Sequence, residues 1–269
     1  MDAIHITPAD SEAVSAGHVA PGTFTPRPRR ASVTRMALAQ GGIEAKLMLR
    51  HGEQLLINVV VPAALLIAAA YLPIFGSNGG LDRLVPMVFA VAASSAGFTG
   101  QAISLAFDRR YGALKRAGAS GVPAWTIIAG KILGVLATVA VQIVVLGAIA
   151  LVLGWRVSVA GALAGLVALL LGVAAFTALG LLMGGTLSSE VVLALANLIW
   201  LVLMGVVGWV AYSGDIASAG WWNAVPTVAL AGALTQALHL AFNPAAWGSL
   251  VAWAAVAMVA ATRWFRFDD

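Results

Sequence analysis

The chain has 269 residues, 61% of them apolar and 10% charged, with a net charge of +4. A soluble domain carries about a quarter charged residues, so this balance excludes one and indicates an all-α polytopic membrane protein. The absence of cysteine excludes disulfides, thiolate metal sites and cysteine nucleophiles. The basic excess, gathered in arginine clusters at span ends, points to topology and anionic lipid, not nucleic acid.

Residues 1–31 are rich in Ala, Pro, Ser, Thr and Gly and poor in bulky apolar side chains. Such a stretch cannot bury enough surface to offset its own ordering entropy, so a disordered cytoplasmic tail is expected, closed by Arg27, Arg29 and Arg30. It contains no apolar core of a secretory signal, and His5 and His18 lack partner ligands at a metal-binding spacing. Residues 32–266 are then expected to form one membrane domain. Its opening stretch mixes Arg35, Glu44, Lys46, Arg50 and Glu53 with Met36, Ile43 and Leu47, which fall on one helical face. That pattern predicts an amphipathic helix lying in the membrane interface, with an ordinary juxtamembrane linker as the alternative. Gly41 and Gly42 count against the helix, at about 1 kcal/mol each relative to Ala.

Six apolar stretches follow, each near or above the roughly 20 residues needed to cross a bilayer. The first, 55–75, contains Pro62, which membrane helices tolerate, and ends in a tight turn over 76–80. The second covers 84–107. The third, 123–153, exceeds the spanning length, so it should tilt or start in the interface. The fourth, 160–183, is followed by a turn in which Ser188 or Ser189 can cap the fifth, 191–212. The sixth is 244–264. Between the last two lies a region with Trp221, Trp222 and Pro226, then an apolar run, 228–240, too short to cross. A re-entrant or interfacial segment is expected there.

Charge sets the orientation. With the N-terminus inside, Arg27, Arg29, Arg30, Arg35, Lys46, Arg50, Arg109, Arg110, Lys115, Arg116, Lys131, Arg263 and Arg266 fall on the cytoplasmic side, and Arg83 and Arg156 outside. The positive-inside rule therefore places both termini in the cytoplasm.

The most informative segment lies between the second and third spans. Asp108 suits the first turn of a short helix, Lys115 and Arg116 suit its last turn, and Gly118 or Gly121 can end it. The succession Asp108, Arg109, Arg110, Tyr111, Gly112, Ala113, Leu114, Lys115, Arg116, then Pro123 and Gly130-Lys131 in the next span, resembles the ABC type-2 exporter permeases. The chain departs from that family at Arg110, where an acid is common. The resemblance implies that Asp108 to Arg116 form a coupling helix docking on a separate ATP-hydrolysing subunit. It also implies an in-plane elbow helix before the first span and broken half-helices before the last. The permease would work as a dimer, with itself or a related permease, carrying two ABC ATPase subunits that bind the ATP and Mg²⁺. No cofactor is expected in this chain. The alternative for the segment is a basic loop that only orients the protein.

Catalytic and metal-binding patterns are absent. There is no HExxH and no acid cluster suited to magnesium. The run from Trp125 to Ile132 lacks the first glycine and the final Ser or Thr of a phosphate loop. Lys131 is expected to snorkel towards the headgroups, and Glu190 to sit at a span end. Ser94, Gly97, Gln101 and Ser104 recur at three and four along the second span, which suits helix packing or, alternatively, a lining of the subunit interface or transport path. Three Gly-x-x-x-Gly spacings, from Gly130, Gly161 and Gly180, are weak signals in so glycine-rich a chain. Asn58, Gln142, Asn197, Gln236 and His239 are expected to be structural hydrogen-bonders. With no buried counter-ion, the expected cargo is lipophilic or amphipathic: a drug, a lipid or a lipid-linked compound. A lipid-modifying membrane enzyme and a non-transporting scaffold are the competing readings.

Overall fold

The computed structural model describes residues 31–50, 52–71, 80–119 and 124–264. The expected tail over 1–30, most of the turn at 76–80, Pro123 and Arg266 lie outside the described residues. Secondary structure among the described residues is entirely helical. The order is α1 (Val33–Arg50), α2 (Gly52–Tyr71), α3 (Leu81–Ser94), a π-helical segment (Ser95–Gly100), α4 (Gln101–Arg110), α5 (Ala113–Ala119), α6 (Ala124–Val152), α7 (Val159–Thr186) and α8 (Ser189–Ser213). Two short 3₁₀ turns (Ile216–Ser218 and Gly220–Ala224), α9 (Pro226–Leu238) and α10 (Pro244–Trp264) complete it.

Among the described residues, five helices are long and apolar enough to cross a membrane: Leu81–Arg110, Thr126–Val152, Val159–Thr186, Ser189–Ser213 and Pro244–Trp264. The stretch Leu81–Arg110 is a single run in which the π segment joins α3 to α4 without a break. In α2 the stretch described through its side chains, Asn58–Ala68, is apolar but shorter than a span, so among the described residues five of the six expected spans meet this criterion.

The run through α3 and α4 is the centre of the packing. Within its apolar window 83% is buried, against 17% for α8. Around it stand α7 and α9, while α8 and α10 turn long apolar faces outward (Leu198, Leu201 and Val202; Val251, Val256 and Val259). Hydrogen bonds between side chains and backbone tie the middle together. The Gln142 amide donates to the carbonyls of Asn58 (3.0 Å) and Ala92 (3.2 Å), and Ser95 donates to Asn58 Oδ1 (2.8 Å). Asn58, Gln142 and Gln236 are thus structural hydrogen-bonders, and Asn197 bonds to its own helix at Leu193. The His239 side chain, in the turn after α9, has no hydrogen bond of this kind among the described residues.

Small residues set how closely the helices approach, and the glycine spacings prove informative. A Cβ at Gly161 would lie 2.1 Å from the Leu238 carbonyl oxygen, and one at Gly184 would lie 2.4 Å from that of Ala102. These contacts are backbone against side-chain-free backbone, the closest approach two helices can make. Gly41, which weakens α1 as an isolated helix, is what lets it seat: a Cβ there would fall 2.3 Å from Leu133 Cδ1.

The contacts of α1 follow a ladder. Gln40 meets Gly130, Glu44 meets Gly134, and Met48 meets Gly134 and Thr138. Both helices therefore advance in the same chain direction over this stretch. A helix lying across α6 would touch it at one crossing, so α1 runs along α6 and not across it. The face it packs inward includes Gln40, Gly41, Glu44 and Met48, whereas Leu38, Ile43 and Leu47 are exposed. The three apolar residues expected on one face divide, with Met36 half-buried and Ile43 and Leu47 exposed beside Lys46 and Arg50.

After α8 the chain folds back on itself. Gln236 and Asn243 both donate to the Ala217 carbonyl (2.8 and 3.0 Å), Trp253 donates to that of Ala224 (2.8 Å), and Thr227 to that of Leu203 (3.1 Å). Residues 216–224 therefore descend alongside α10 and α8, and α9 climbs back beside α7 in the opposite sense, Leu230 against Gly172 and Leu238 against Gly161. Pro226 opens α9 at the first helical position, where its missing N–H costs nothing. From Pro226 to Thr235 every residue is buried. The 13 residues of α9 are thus a core helix, too short to span.

Candidate coupling site

Gly112 determines where α4 stops. It adopts φ of +66°, a conformation that favours glycine. The N–H groups of Tyr111 and Gly112 bond back to the carbonyls of Phe107 and Arg109, both at 2.9 Å, closing the helix end. A new helix, α5, starts at Ala113. Asp108, Arg109 and Arg110 therefore belong to the last turn of α4, not to the first turn of the short helix expected over 108–116. This is a correction with a simple cause: the left-handed glycine breaks the segment in two.

Each of the three charged residues is tied to a different neighbour. Asp108 accepts from Lys131 Nζ at 2.5 Å across to α6. Arg109 is buried and donates to the carbonyls of Gly184 (2.9 Å) and Leu187 (2.8 Å) at the C-terminus of α7, where a cation meets the negative end of the helix dipole. Arg110 pairs with Glu190 and donates to Ser189 Oγ (3.2 Å) in the first turn of α8. Ser188 is the N-cap residue of α8, but its side chain makes no capping bond. The end of α4 thus connects to three other helices.

Lys131 corrects a second expectation. Its side chain is 1% exposed and does not snorkel to solvent. A buried ammonium persists when it is paired and hydrogen-bonded, and Lys131 has Asp108, Glu44 Oε1 at 3.5 Å and Ser104 Oγ at 3.2 Å. Gln40 in turn donates to Glu44 (3.3 Å). One lysine thereby joins α1, α4 and α6. A buried counter-ion pair therefore exists, contrary to the expectation of none, although it sits at the helix ends. A lone lysine in an apolar helix is itself a signal for such a partner. That the partner includes Glu44 is not readable from sequence, because the amphipathic pattern places α1 in the membrane plane.

Helix α5 presents two faces. Leu114 is buried against Leu105, Ile127 and Leu181, so it holds α5 to its own chain and is not offered outward. Tyr111 (65% exposed), Lys115 and Arg116 face out. Arg116 donates to the Tyr111 carbonyl at 2.7 Å, and the Tyr111 ring stacks on Phe107, which fixes the break between α4 and α5.

The polar stripe turns inward. Ser94 bonds within its own helix to Val91, Gly97 packs on Phe176 and Thr177 of α7, Gln101 lies fully buried beside Met48, and Ser104 accepts from Lys131. Gly97 falls in the π segment, and Thr99 Oγ1 and Gln101 Oε1 are buried without a hydrogen-bond partner among the described residues. Ser94, Gly97 and Gln101 are buried within this chain, and Ser104 is half-buried against Lys131.

Comparison with curated proteins finds no match, and comparison with solved structures finds none. The family model described as ABC-2 type transporter matches residues 42–261. The matched region runs from the middle of α1 into the last turns of α10. It contains every apolar helix and the whole charged junction, and so this multi-pass membrane protein belongs to the ABC-2 type transporter family.

Proposed function

We propose that the chain is the permease subunit of an ATP-driven exporter in the cytoplasmic membrane, with two ABC ATPase subunits and a second permease copy or related permease. Permeases of this family work with ATP-hydrolysing partners. ATP and Mg²⁺ are assigned to those partners, and this chain takes no catalytic part. The observation that carries the reading is the junction of α4 and α5. The outward Tyr111, in the turn, and Lys115 and Arg116, on the short helix α5, have a base fastened to α1, α6, α7 and α8 through Asp108–Lys131, Arg109 and Arg110. A push on α5 would reach all four helices through short, directional contacts. Closure of the ATPases would in this way re-angle the spans and open a path between permeases.

Counting α2 as the first span gives six crossings and places the start of α1, the α4–α5 junction and the C-terminus on one side, which the basic residues make cytoplasmic. The descent of residues 216–224 and the return along α9 then form a re-entrant segment from the outer side, in which α9 is enclosed by protein as membrane depth demands. The outward faces of α8 and α10 are apolar, which suits lipid and a lipophilic or amphipathic cargo.

Two measurements test this. An ATP-hydrolysing subunit is expected to co-purify with the tagged chain and to be lost from a Lys115→Glu/Arg116→Glu variant that still inserts. Co-purification unchanged by that variant would return the segment to a topogenic loop. Because the chain has no cysteine, single cysteines report its sides. One at the exposed Ser213 should react with an impermeant thiol reagent from outside, and one at the exposed Ser188 should not.

A further inference from the structure

At the end of the molecule opposite Lys131, the first turn of α3, the α6–α7 connection and the last turn of α9 come together. Asp82, Arg156, Ser158 and His239 line a recess there of about 290 Å³. A second hollow lies between α3, α6, α7 and α9, walled by Phe89, Ile143, Leu166, Leu169 and Leu234, and is almost wholly apolar. Trp155, Val157 and Leu238 line both, so the polar recess and the apolar hollow adjoin. None of these residues belongs to the charged junction of α4 and α5.

Two details show that this end is more than a loose loop. Arg156 is held in place by donating to the carbonyls of Trp155 (3.0 Å) and Leu151 (3.3 Å) at the end of α6. Leu240, on the rim of the recess, has φ of +59° in the position after α9 where glycine normally sits. The Leu240 and Ala241 N–H groups bond to the carbonyls of Ala237 and Gln236 (both 2.9 Å) in the usual closing pattern, so the turn imposes the conformation. A leucine there is strained, and it is 63% exposed, so burial does not repay the strain. Backbone strain of this kind concentrates at ligand-binding places.

We propose that the recess and hollow together bind one zwitterionic phospholipid. Arg156 takes the phosphate, for which a fixed guanidinium is well suited. Asp82 takes the headgroup amine, Ser158 and His239 border the headgroup, and one acyl chain lies in the hollow against Trp155 and Leu238. A wholly polar ligand would leave the apolar hollow unused. A wholly apolar one would leave Asp82 and Arg156 facing it without partners of their own kind. An anionic lipid without an amine would satisfy Arg156 but set its charge against Asp82. The site needs no ATPase and stands whether or not α5 docks on one.

The test uses the full chain in detergent micelles with phosphatidylethanolamine carrying a photoreactive diazirine midway along one acyl chain. Adducts mapped by mass spectrometry are expected on the segments around Ile143 and Leu169. Unlabelled phosphatidylethanolamine should compete about tenfold better than phosphatidylglycerol, because only the former brings an ammonium to pair with Asp82. Gly147 lines the hollow, and a Cβ there meets nothing within 4 Å. Gly147→Leu therefore fills the space without displacing the fold, and should cut labelling about tenfold, the loss of about two buried methylenes. Ala162→Phe, also lining the hollow, should do the same, and Asp82→Asn should keep the labelling but erase the preference for the amine. Adducts spread evenly over α8 and α10, equal competition by the two lipids, or undiminished labelling of both filling variants would each overturn the assignment.

Discussion

The two ends of the helix bundle are held by different chemistry. At the charged end, α4 is joined to its neighbours by long side chains: Lys131 to Asp108 and Glu44, Arg109 to the end of α7, Arg110 to the start of α8. At the other, α7 and α9 touch through glycine, with the Gly161 backbone against the Leu238 carbonyl and Gly172 against Leu230. Side-chain pairs can shorten, lengthen and exchange partners while the helices move. A glycine–backbone contact has no such slack, because any slide brings backbone into backbone. The charged end therefore combines both kinds of contact, since Gly184 of α7 also lies against the Ala102 carbonyl of α4, whereas the α7–α9 seam has the fixed kind at Gly161.

The largest effect is expected at Lys131. Replacing it with methionine leaves the Glu44 carboxylate buried without its cation, and the expected cost is about 3 kcal/mol, the usual result of removing one member of a buried pair. Thermal unfolding in detergent should show it. Adding Glu44→Gln to the same chain should restore part of the loss, since the more buried of the two orphaned carboxylates, Glu44 and Asp108, is then gone. A double variant as unstable as the single one would mean that Lys131 acts through packing and not through charge.

The next largest effect is expected at the rigid end. Gly161→Ala places a methyl 2.1 Å from a backbone oxygen that cannot step aside. Overpacking of this kind costs about 2 kcal/mol, and no second substitution on a side chain should rescue it. Gly205→Ala serves as the control. It meets nothing within 4 Å, so the gain in helix propensity should leave stability unchanged or slightly raised. The rescue at Lys131 and its absence at Gly161 would together distinguish adjustable contacts from fixed ones.

How much of this is legible in sequence follows the same division. Apolar runs of spanning length are a property of single segments, so the helices α6, α7, α8 and α10 fall close to where hydropathy puts them. The short run after Pro226 is recognisable as too short to cross, for the same reason. What one segment touches in another is not legible. Gly41 reads as a weak point of an isolated helix and is in fact its docking surface, because the cost in propensity is local and the gain lies in Leu133 on α6. The charged stretch from Asp108 to Arg116 reads as one helix by its charge order. The break at Gly112 depends on a backbone angle that charge order does not report. Leu114 belongs to the stretch expected to dock on the ATPase, but its burial by Leu105, Ile127 and Leu181 comes from three separate segments.

Leu114 supplies a smaller effect on the same scale. Its cluster is small and sits at the margin of the bundle, so Leu114→Ala is expected at the low end of the range for core truncations, about 2 kcal/mol at most. The loss should be local. Proteolysis or hydrogen exchange at α5 should rise while the main unfolding transition moves little, because α5 can detach without opening the helices beneath it. If the whole chain unfolded earlier instead, α5 would be part of the central packing and not a lever fastened to it.

Arg110→Ala is expected to change stability least, and for that reason it tests what burial contributes. Arg110 and Glu190 form an ion pair, as Lys131 and Asp108 do, but their side chains are 45% and 65% exposed. Exposed pairs gain little Coulomb energy in water, lose side-chain freedom on pairing and are screened within a Debye length of about 8 Å at physiological salt. The unfolding midpoint of Arg110→Ala should therefore match that of the parent chain at physiological salt and differ from it, if at all, only at low salt. Lys131→Met should remain destabilised at both, because salt does not reach a side chain that is 1% exposed. Equal and salt-sensitive losses in the two variants would contradict the comparison. They would place the hold on α4 in surface charge generally, and the buried lysine would lose its special standing as the joint between α1, α4 and α6.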